Sequence, residues 1–285
     1  MQTGQPSRTA RAAAVHRAVH QVLEKGRIFA DPLALLILGQ DGEDAEALAR
    51  DEHNPHRRAM RLFIAVRTRF AEDALTAALA HGVRQLVVLG AGLDTYAYSG
   101  AMRDRLRIFE VDHPATQAWK RQRLAEADIP LPGTLTFAPV DFERETLGEG
   151  LAAAGFDPAQ RSFFTWLGVV PYLTEEAAFA TLSFIGSLPG GAQVVFDYSN
   201  PPDSLSPEMR AVHDTRAAHV AGIGEAWMSY FESDALGAKL MALGFIEVED
   251  LGPPQTAARY FPQRAGSAPG KGGHIVRAAT FETAP

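Results

Sequence analysis

The stretch QLVVLGAGLDT, from Gln85 to Thr95, decides the fold. The apolar run Gln85–Leu89 is short and ends directly in glycines, which is typical of a buried parallel strand. Gly90 and Gly92 permit a tight turn and let a ligand approach the backbone without a Cβ in the way. Ligands of open α/β sheets bind at the carboxyl ends of strands, so the pattern predicts a ligand-binding loop here.

Strands and helices alternate after this loop. Strands are predicted at 106–111, 134–140, 162–167 and 193–198, and helices at 94–103, 114–127, 143–154 and 174–188. This order implies right-handed βαβ units and a parallel sheet with helices on both faces. Two last strands, at 245–251 and 274–281, are joined by a long connection rich in Gly and Pro, which predicts an antiparallel hairpin at the sheet edge.

Helices are also predicted ahead of the loop. Helical spacing extends from Arg8 to about Glu24 and from Pro55 to His81. Asp31-Pro32 predicts an N-cap with Pro at N1, opening a short helix to Leu38. Residues 41–54 predict a polar loop with some helix.

Composition narrows the classes of protein. The net charge of -7 over 285 residues does not favour a nucleic-acid partner. No apolar run is long enough for a membrane span, and no apolar stretch suited to a secretory signal follows the first arginines, so we expect a cytoplasmic protein without a membrane partner. The absence of cysteine excludes disulfides and thiolate chemistry. Five arginines cluster in sequence but scatter around a helix, which predicts a solvated face: Arg57, Arg58, Arg61, Arg67 and Arg69.

An acid follows each of the next two predicted strands. Asp112, twenty positions beyond Gly92, could accept both ribose hydroxyls of an adenosine, or it could cap the following helix. Asp141 and Phe142 could hydrogen-bond and flank an adenine, with a helix cap again as the alternative. Thr95 stands where a dinucleotide fingerprint has a third glycine, which favours a mononucleoside-type ligand.

Two segments together resemble a known family. Leu89–Thr95 and Phe109–Pro114, with Trp119-Lys120 following, are similar to the leucine carboxyl methyltransferase family, and more closely to its bacterial branch of S-adenosylmethionine-dependent O-methyltransferases. Further segments in family order are Arg27–Ala34, Arg67–Phe70, Gly168–Leu173 and Leu243–Phe245. The resemblance implies a class I methyltransferase fold: a Rossmann-like, mostly parallel α/β sheet with an antiparallel edge strand, extra N-terminal helices and a lid insertion.

The resemblance also implies S-adenosylmethionine as the cofactor and gives roles to residues. Arg67 would pair with the methionyl carboxylate, because a guanidinium matches a carboxylate bidentately, although without the family a surface charge is favoured. Gly90 would face the methionine moiety, Asp112 the ribose, and Asp141 with Phe142 the adenine. The remaining predicted cofactor-binding residues are Arg8, Gly92, Asp94 and Gly168.

One position departs from the family pattern. Leu167 stands where many members carry a glutamate, so a carboxylate that some relatives place near the cofactor amine is absent. Either backbone carbonyls replace that carboxylate, or the cofactor contacts differ.

The acceptor side is predicted in residues 203–231, facing the N-terminal helices. A carboxylate acceptor needs no base at neutral pH, whereas a phenol would gain from one. His213 and His219 are possible bases, with simple solvation as the alternative. The predicted substrate-binding residues are Tyr172, His219, Ile223, Glu225, Trp227 and Tyr230. No His/Asp/Glu cluster has metal-ligand spacing, so no metal is expected.

These patterns predict an S-adenosylmethionine-dependent O-methyltransferase acting on a carboxylate or hydroxyl of a small molecule. The alternatives are a nicotinamide-dependent oxidoreductase, suggested by the same loop and Asp112, and a non-catalytic cofactor-binding protein, suggested by Leu167. The oligomeric state stays open. We expect one domain over 1–285, made of a helical extension (8–82), a cofactor-binding core (83–200), a lid or substrate segment (201–231) and a C-terminal part of the sheet (232–285).

Overall fold

The computed structural model describes residues 7–39, 49, 55–142 and 144–283. Within them the α-helices are α1 (Arg8–Leu23), α2 (Pro55–Ala80), α3 (Tyr96–Ser99), α4 (Pro114–Glu126), α5 (Leu147–Ala153), α6 (Glu175–Gly186), α7 (Pro207–Gly222), α8 (Ser233–Ala242) and α9 (Pro253–Tyr260). Short 3-10 turns lie at Arg103–Arg105, Val170–Tyr172, Pro202–Ser204 and Pro262–Ser267. None of the described helices is long and apolar enough to cross a membrane.

The strands form a seven-stranded, mostly parallel sheet. They are β1 (Gln85–Leu89), β2 (Arg107–Asp112), β3 (Leu135–Pro139), β4 (Ser162–Trp166), β5 (Ala192–Ser199), β6 (Glu247–Leu251) and β7 (Gly273–Ala279). The order is β3-β2-β1-β4-β5-β7-β6. β7 runs antiparallel to both β5 and β6, while β2–β3, β1–β4 and β4–β5 are parallel pairs. The predicted fold class, including the antiparallel edge, is confirmed.

The central strands are buried because helices cover both faces of a parallel sheet. All five residues of β1 are buried, and so are the first seven of the eight residues of β5. Apolar runs such as the one in β1 are therefore continuous rather than alternating, which is why the sequence shows them so clearly.

The chain divides into two compact units. The first contains residues 1–70 and 90–156, and the second contains residues 71–89 and 157–285. The first unit holds β2, β3 and the loop that follows β1, together with α1. The second holds β1 and β4–β7 with the helices from α6 onward. The predicted division into four segments of one domain stays a prediction.

Three local predictions differ from the structure. Residues 32–39 form consecutive turns rather than an α-helix, although the Asp31 carboxylate accepts the Leu33 amide as an N-cap does and also binds Arg17 Nε at 3.1 Å. The predicted helix at 94–103 is shortened to α3. The connection after β6 contains α9, since Pro253 and Pro254 begin a helix rather than a loop. Of the predicted loop at 41–54, all but residue 49 lies outside the described residues.

The arginine cluster is not a uniformly solvated face. Arg61 and Arg67 are buried in α2, whereas Arg57, Arg58 and Arg69 are exposed. Arg61 donates to both carboxylate oxygens of Glu24, at 2.8 Å from Nε and 2.7 Å from Nη2. This bidentate pair links the end of α1 to α2, and such planar pairs are the strong ones.

Replacing Arg61 by Met should lower the free energy of unfolding by about 3 kcal/mol, because the Glu24 carboxylate loses its partner in a largely buried place. The matched control is Arg58→Met on the exposed side of the same helix, which should change stability by less than about 0.5 kcal/mol. Urea denaturation measures both variants. Equal midpoints for the two would show that the Arg61–Glu24 pair does not stabilise the α1–α2 contact.

Candidate functional site

The loop after β1 turns on two glycines. Gly90 has φ +64 and Gly92 has φ +44, in the left-handed region that glycine adopts without strain. The Ala91 amide donates to Val111 O at 3.1 Å, and the Asp94 amide donates to Ala91 O at 2.7 Å. Gly90 is exposed, so its backbone is open to a ligand as the sequence predicts.

Asp112, at the end of β2, holds this loop in place. Its Oδ2 accepts the Gly92 amide at 2.6 Å and its Oδ1 accepts the His113 amide at 2.7 Å. Burial raises the pKa of Asp112, while the bonds from Gly92 and His113 oppose that rise. The N-cap of α4 is His113, whose Nδ1 accepts the Ala115 amide, so the interpretation of Asp112 as the cap is wrong.

The first turns of α1 lie beside the same loop. A Cβ added at Gly92 would come within 2.9 Å of the Ala10 Cβ, so a side chain there would collide with α1. Arg17 donates from Nη2 to Leu93 O at 2.5 Å. Arg8 is exposed at the start of this helix, two residues before Ala10. The structure therefore brings Arg8, one of the predicted cofactor residues, onto the helix that flanks the loop.

A buried ion pair lies on β2 two residues before Asp112. Lys120 Nζ of α4 is 2.8 Å from Glu110 Oε2, and both side chains are 1% exposed. Tyr98 of α3 donates its hydroxyl to the same oxygen at 3.2 Å, and Gln117 Nε2 donates to Glu110 O at 3.0 Å. The cluster links α3 and α4 to β2, beside the loop that follows β1.

The sequence analysis missed this cluster, although a signal exists. Gln117, Lys120 and Leu124 recur at helical spacing and are all buried in α4, so the apolar stripe of the helix includes a lysine. A buried lysine requires a partner, and the preceding strand carries two acids, Glu110 and Asp112. Burial raises the pKa of Glu110 to about 7, and Lys120 opposes the rise.

Asp141 and Phe142 follow β3. Phe142 is 61% exposed, an unusual place for an aromatic ring. Asp141 O accepts the amides of Arg144 and Glu145. Thr146, with a capping box to Glu149, is the N-cap of α5, so the alternative that Asp141 caps this helix is wrong.

Arg67 and Asp94 are also located in the first unit. Arg67 is 9% exposed in the middle of α2, which rules out the alternative of a surface charge. Asp94 Oδ1 accepts the Tyr96 amide at 2.9 Å and so shapes the turn into α3. Thr95, where a dinucleotide loop would have glycine, is buried.

Gly168 lies in the second unit, after β4. It has φ +73, and its amide donates to Asp197 Oδ1 at 2.6 Å. Asp197 is a buried acid of β5 that the sequence analysis did not single out. Leu167, at the position that departs from the family pattern, is half-buried beside this bond.

Three predicted acceptor-side residues of the second unit contact one another. His213 Nε2 is 2.9 Å from the Tyr230 hydroxyl, and its ring centroid is 5.4 Å from those of both Tyr230 and Trp227. His219 lies six residues further along α7, and the helical turn directs it to a different face, where it is exposed. His213 is therefore hydrogen-bonded among aromatic rings, whereas His219 is exposed to solvent.

The remaining acceptor-side candidates lie around the same segment. Ile223 is the half-buried C-cap residue of α7, and the Glu225 amide donates to Val220 O. Tyr172 ends a 3-10 turn whose Pro171 O accepts the Met228 amide at 2.6 Å. In the described part of the chain, no group of three His, Cys, Asp or Glu side chains is arranged for a metal ion.

Comparisons with known proteins identify the family. The family model for leucine carboxyl methyltransferase matches residues 10–186, which is more than half of the chain. The chain therefore belongs to the leucine carboxyl methyltransferase family, and the resemblance inferred from the loop and β2 is confirmed.

Two bacterial relatives and one solved structure extend this result. YktD of Bacillus subtilis is 34% identical over 202 residues, covering 70% of this chain and 66% of that protein. A Streptomyces coelicolor protein is 38% identical over 181 residues, covering 61% and 64%. Both carry provisional names as S-adenosyl-L-methionine-dependent methyltransferases, and the matched region spans slightly less than two thirds of each.

The solved structure supports the fold alone. A Thermobifida fusca protein, provisionally named a methyltransferase, is 16% identical with a TM-score of 0.55, covering 97% of this chain and 96% of that one. At this identity the similarity confirms the α/β fold class that the alternating strands and helices predicted.

Lys120→Met should destabilise the protein by roughly 3 kcal/mol near neutral pH, since it leaves a buried carboxylate without its cation. The raised pKa of Glu110 means that its contribution to stability is present below its unfolded value of 4.5 and is lost as pH rises through about 7. Without Lys120 the effect of burial on Glu110 is less opposed and this loss becomes larger, so urea denaturation should show a larger defect at high pH than at low pH.

The double variant Glu110→Gln with Lys120→Met should recover much of the lost stability, because it removes both charges. Lys239→Met is the control, since Lys239 pairs with Glu175 in an exposed position and should cost less than about 1 kcal/mol. A Lys120→Met defect that is independent of pH would show that Glu110 does not titrate as described.

Proposed function

We propose that the protein is an S-adenosylmethionine-dependent O-methyltransferase acting on a carboxylate or hydroxyl of a small molecule. The observation that carries this proposal is the Asp112 carboxylate bonded to the Gly92 amide in a loop of positive-φ glycines, in a chain of the leucine carboxyl methyltransferase family. The names of the relatives also support methyl transfer rather than nicotinamide chemistry.

The residues of the first unit fit an adenosine. An ionised carboxylate has about four lone-pair sites, and Asp112 uses two of them for Gly92 and His113. Two sites are left for the two ribose hydroxyls. The exposed ring of Phe142, next to Asp141, offers a flat apolar surface for the adenine.

The amino-acid end of the cofactor needs a cation for its carboxylate. Arg67 provides a guanidinium that is largely removed from solvent, where charge-assisted bonds are strongest. Arg8, at the start of α1, is the second candidate because its helix flanks Gly92. We assign the methionyl carboxylate to Arg67 and a supporting role to Arg8.

The bound cofactor would supply an electrophilic methyl group on a sulfonium. The chain contributes mainly by position: the loop and Asp112 fix the adenosine, and Arg67 fixes the other end, which sets the direction of the methyl group. Tyr172 and the aromatic residues around His213 are the proposed acceptor-side residues, whereas Gly168 stays a proposed cofactor-binding residue. A carboxylate acceptor would need no base in this scheme, whereas a hydroxyl would gain from one.

We also propose a cytoplasmic enzyme that requires neither a metal nor a nucleic-acid partner. The net charge of -7 and the absence of cysteine support this placement. Calorimetric titration with S-adenosylhomocysteine is the first test of the proposal. No binding at high micromolar cofactor would contradict it.

Asp112→Ala should weaken S-adenosylhomocysteine binding more than about tenfold, because hydrogen bonds to a charged group are lost and the Gly92 loop loses its anchor. Asp104→Ala is the control, since Asp104 lies in the same unit with an exposed side chain. Titration calorimetry compares the two variants. Wild-type affinity in Asp112→Ala would show that the carboxylate only shapes the loop.

Arg67→Gln should weaken S-adenosylhomocysteine about tenfold and leave methylthioadenosine unaffected, because the second ligand keeps the adenosine and lacks the amino-acid carboxylate. The comparison between ligands corrects for any general loosening of the fold in the variant. Asp112→Ala should weaken both ligands equally. An equal loss for both ligands in Arg67→Gln would place Arg67 away from the carboxylate.

A further inference from the structure

His213 is the centre of a hydrogen-bonded chain in the second unit. Its Nδ1 is 2.9 Å from Asp214 Oδ1, and its Nε2 is 2.9 Å from the Tyr230 hydroxyl. An ionised carboxylate only accepts hydrogen bonds, so Nδ1 carries the proton and donates it to Asp214. In the neutral ring Nε2 is then an acceptor, and the Tyr230 hydroxyl donates to it. Carboxylate, imidazole and phenol are therefore aligned in one direction.

The carboxylate end of this chain is fixed by ionic contacts. Arg210 Nε lies 3.0 and 3.1 Å from the two oxygens of Asp214, and Arg210 Nη1 lies 2.6 Å from Asp203 Oδ1. The hydrogen bond from His213, followed by the contacts of Arg210, holds the pKa of Asp214 below its ordinary value. Asp214 is therefore ionised at neutral pH and accepts the hydrogen bond from His213.

The phenol end is more sheltered. The His213 side chain is only 11% exposed, so the interpretation of a freely solvated histidine is wrong. Tyr230 and Trp227 are half-buried, and burial together with the charge of Asp214 raises the pKa of Tyr230. Tyr230 therefore remains a phenol near neutral pH, able to accept one proton while it donates another. The Trp227 ring beside His213 provides a flat apolar surface.

We propose that Asp214, His213 and Tyr230 form a proton relay for an acceptor that is an un-ionised hydroxyl, such as a phenol, rather than a carboxylate. The inference rests on the proposed methyltransferase function and narrows its acceptor class. A carboxylate is already ionised at neutral pH and has no proton for the relay to remove.

Each proton and each electron pair of the proposed transfer has a destination. The acceptor oxygen forms a bond to the methyl carbon while the carbon–sulfur bond breaks and its electron pair stays on sulfur. The hydroxyl proton of the acceptor passes to the Tyr230 oxygen, and the Tyr230 proton passes to His213 Nε2. The products are a methyl ether, a neutral thioether and an imidazolium beside Asp214, which acts as a positioning residue.

The test uses acceptors of different acidity. Turnover with S-adenosylmethionine is measured for 4-methylphenol, for the far more acidic 4-nitrophenol, and for benzoate. We expect methylation of both phenols, with only the less acidic 4-methylphenol depending on the relay. His213→Gln should lower kcat for 4-methylphenol about 100-fold and leave 4-nitrophenol nearly unchanged, because an ionised phenol needs no base. Asp214→Asn should lower kcat for 4-methylphenol about tenfold, and Tyr230→Phe should resemble His213→Gln.

Glu208→Gln, an exposed substitution on the same helix, should keep wild-type rates. Methylation of benzoate without either phenol, equal losses for both phenols, or a loss in His219→Gln instead of His213→Gln would each overturn the inference. So would the absence of phenol turnover in a protein that binds S-adenosylhomocysteine. Failure to bind S-adenosylhomocysteine is a different result, which removes the proposed function itself.

Nitrogen NMR of the imidazole ring tests the relay without cofactor. The wild-type protein should show neutral His213 as the Nδ1–H tautomer, and Asp214→Asn should lower the share of that tautomer because the accepting carboxylate is lost. Glu208→Gln should leave the His213 signals unchanged. An Nε2–H tautomer, or an Nδ1–H share that does not respond to Asp214→Asn, would overturn the alignment on which the relay depends.

Discussion

The hydrogen bond from the Gly92 amide to the Asp112 carboxylate is the contact on which the first unit depends. It joins the loop after β1 to the end of β2, and it does so with a charged acceptor, which makes it stronger than a bond between neutral groups. The positive φ of Gly92 points the amide at Asp112, and α1 closes the space where a side chain would be. The carboxylate that we propose to bind the ribose therefore also fixes the shape of the loop.

The buried pair of Glu110 and Lys120 explains why Asp112 is so well placed. Glu110 fixes α4 against β2 through Lys120 and Gln117, and α4 begins at His113, directly after Asp112. A purely apolar contact would tolerate small slides of the helix along the strand. Ionic and hydrogen-bonded partners at fixed positions allow much less movement. The desolvation of the two buried charges is an unfavourable free energy that accompanies this fixed position.

The sequence predicted what depends on neighbours along the chain. The strand and glycine loop at Gln85–Thr95, the helix from Pro55 to His81 and the helix at 174–188 all rest on local patterns, and the structure contains each of them. Prediction was weaker for side chains whose partners are distant in sequence. The sequence predicts Asp31 only as a helix cap, whereas its carboxylate also binds Arg17, fourteen residues away in sequence.

Buried charge caused most of the missed features. Arg61, Lys120 and Asp197 resemble surface residues in a one-dimensional pattern, because their partners Glu24, Glu110 and Gly168 are not adjacent to them in sequence. The proposed relay could be predicted from the sequence only in part. His213 could be named as a candidate, whereas its contact with Tyr230 required the fold.

The position of β7 has a consequence for the order in which this chain can fold during synthesis. β7 lies between β5 and β6 in the sheet, although it is the last of the described strands to be synthesised. β6 is the edge strand and pairs with β7, so it has no ladder to join until residue 279 has left the ribosome. The second unit therefore completes its sheet late. Until then β6 lacks its partner strand, and β5 is paired with β4 along one edge only.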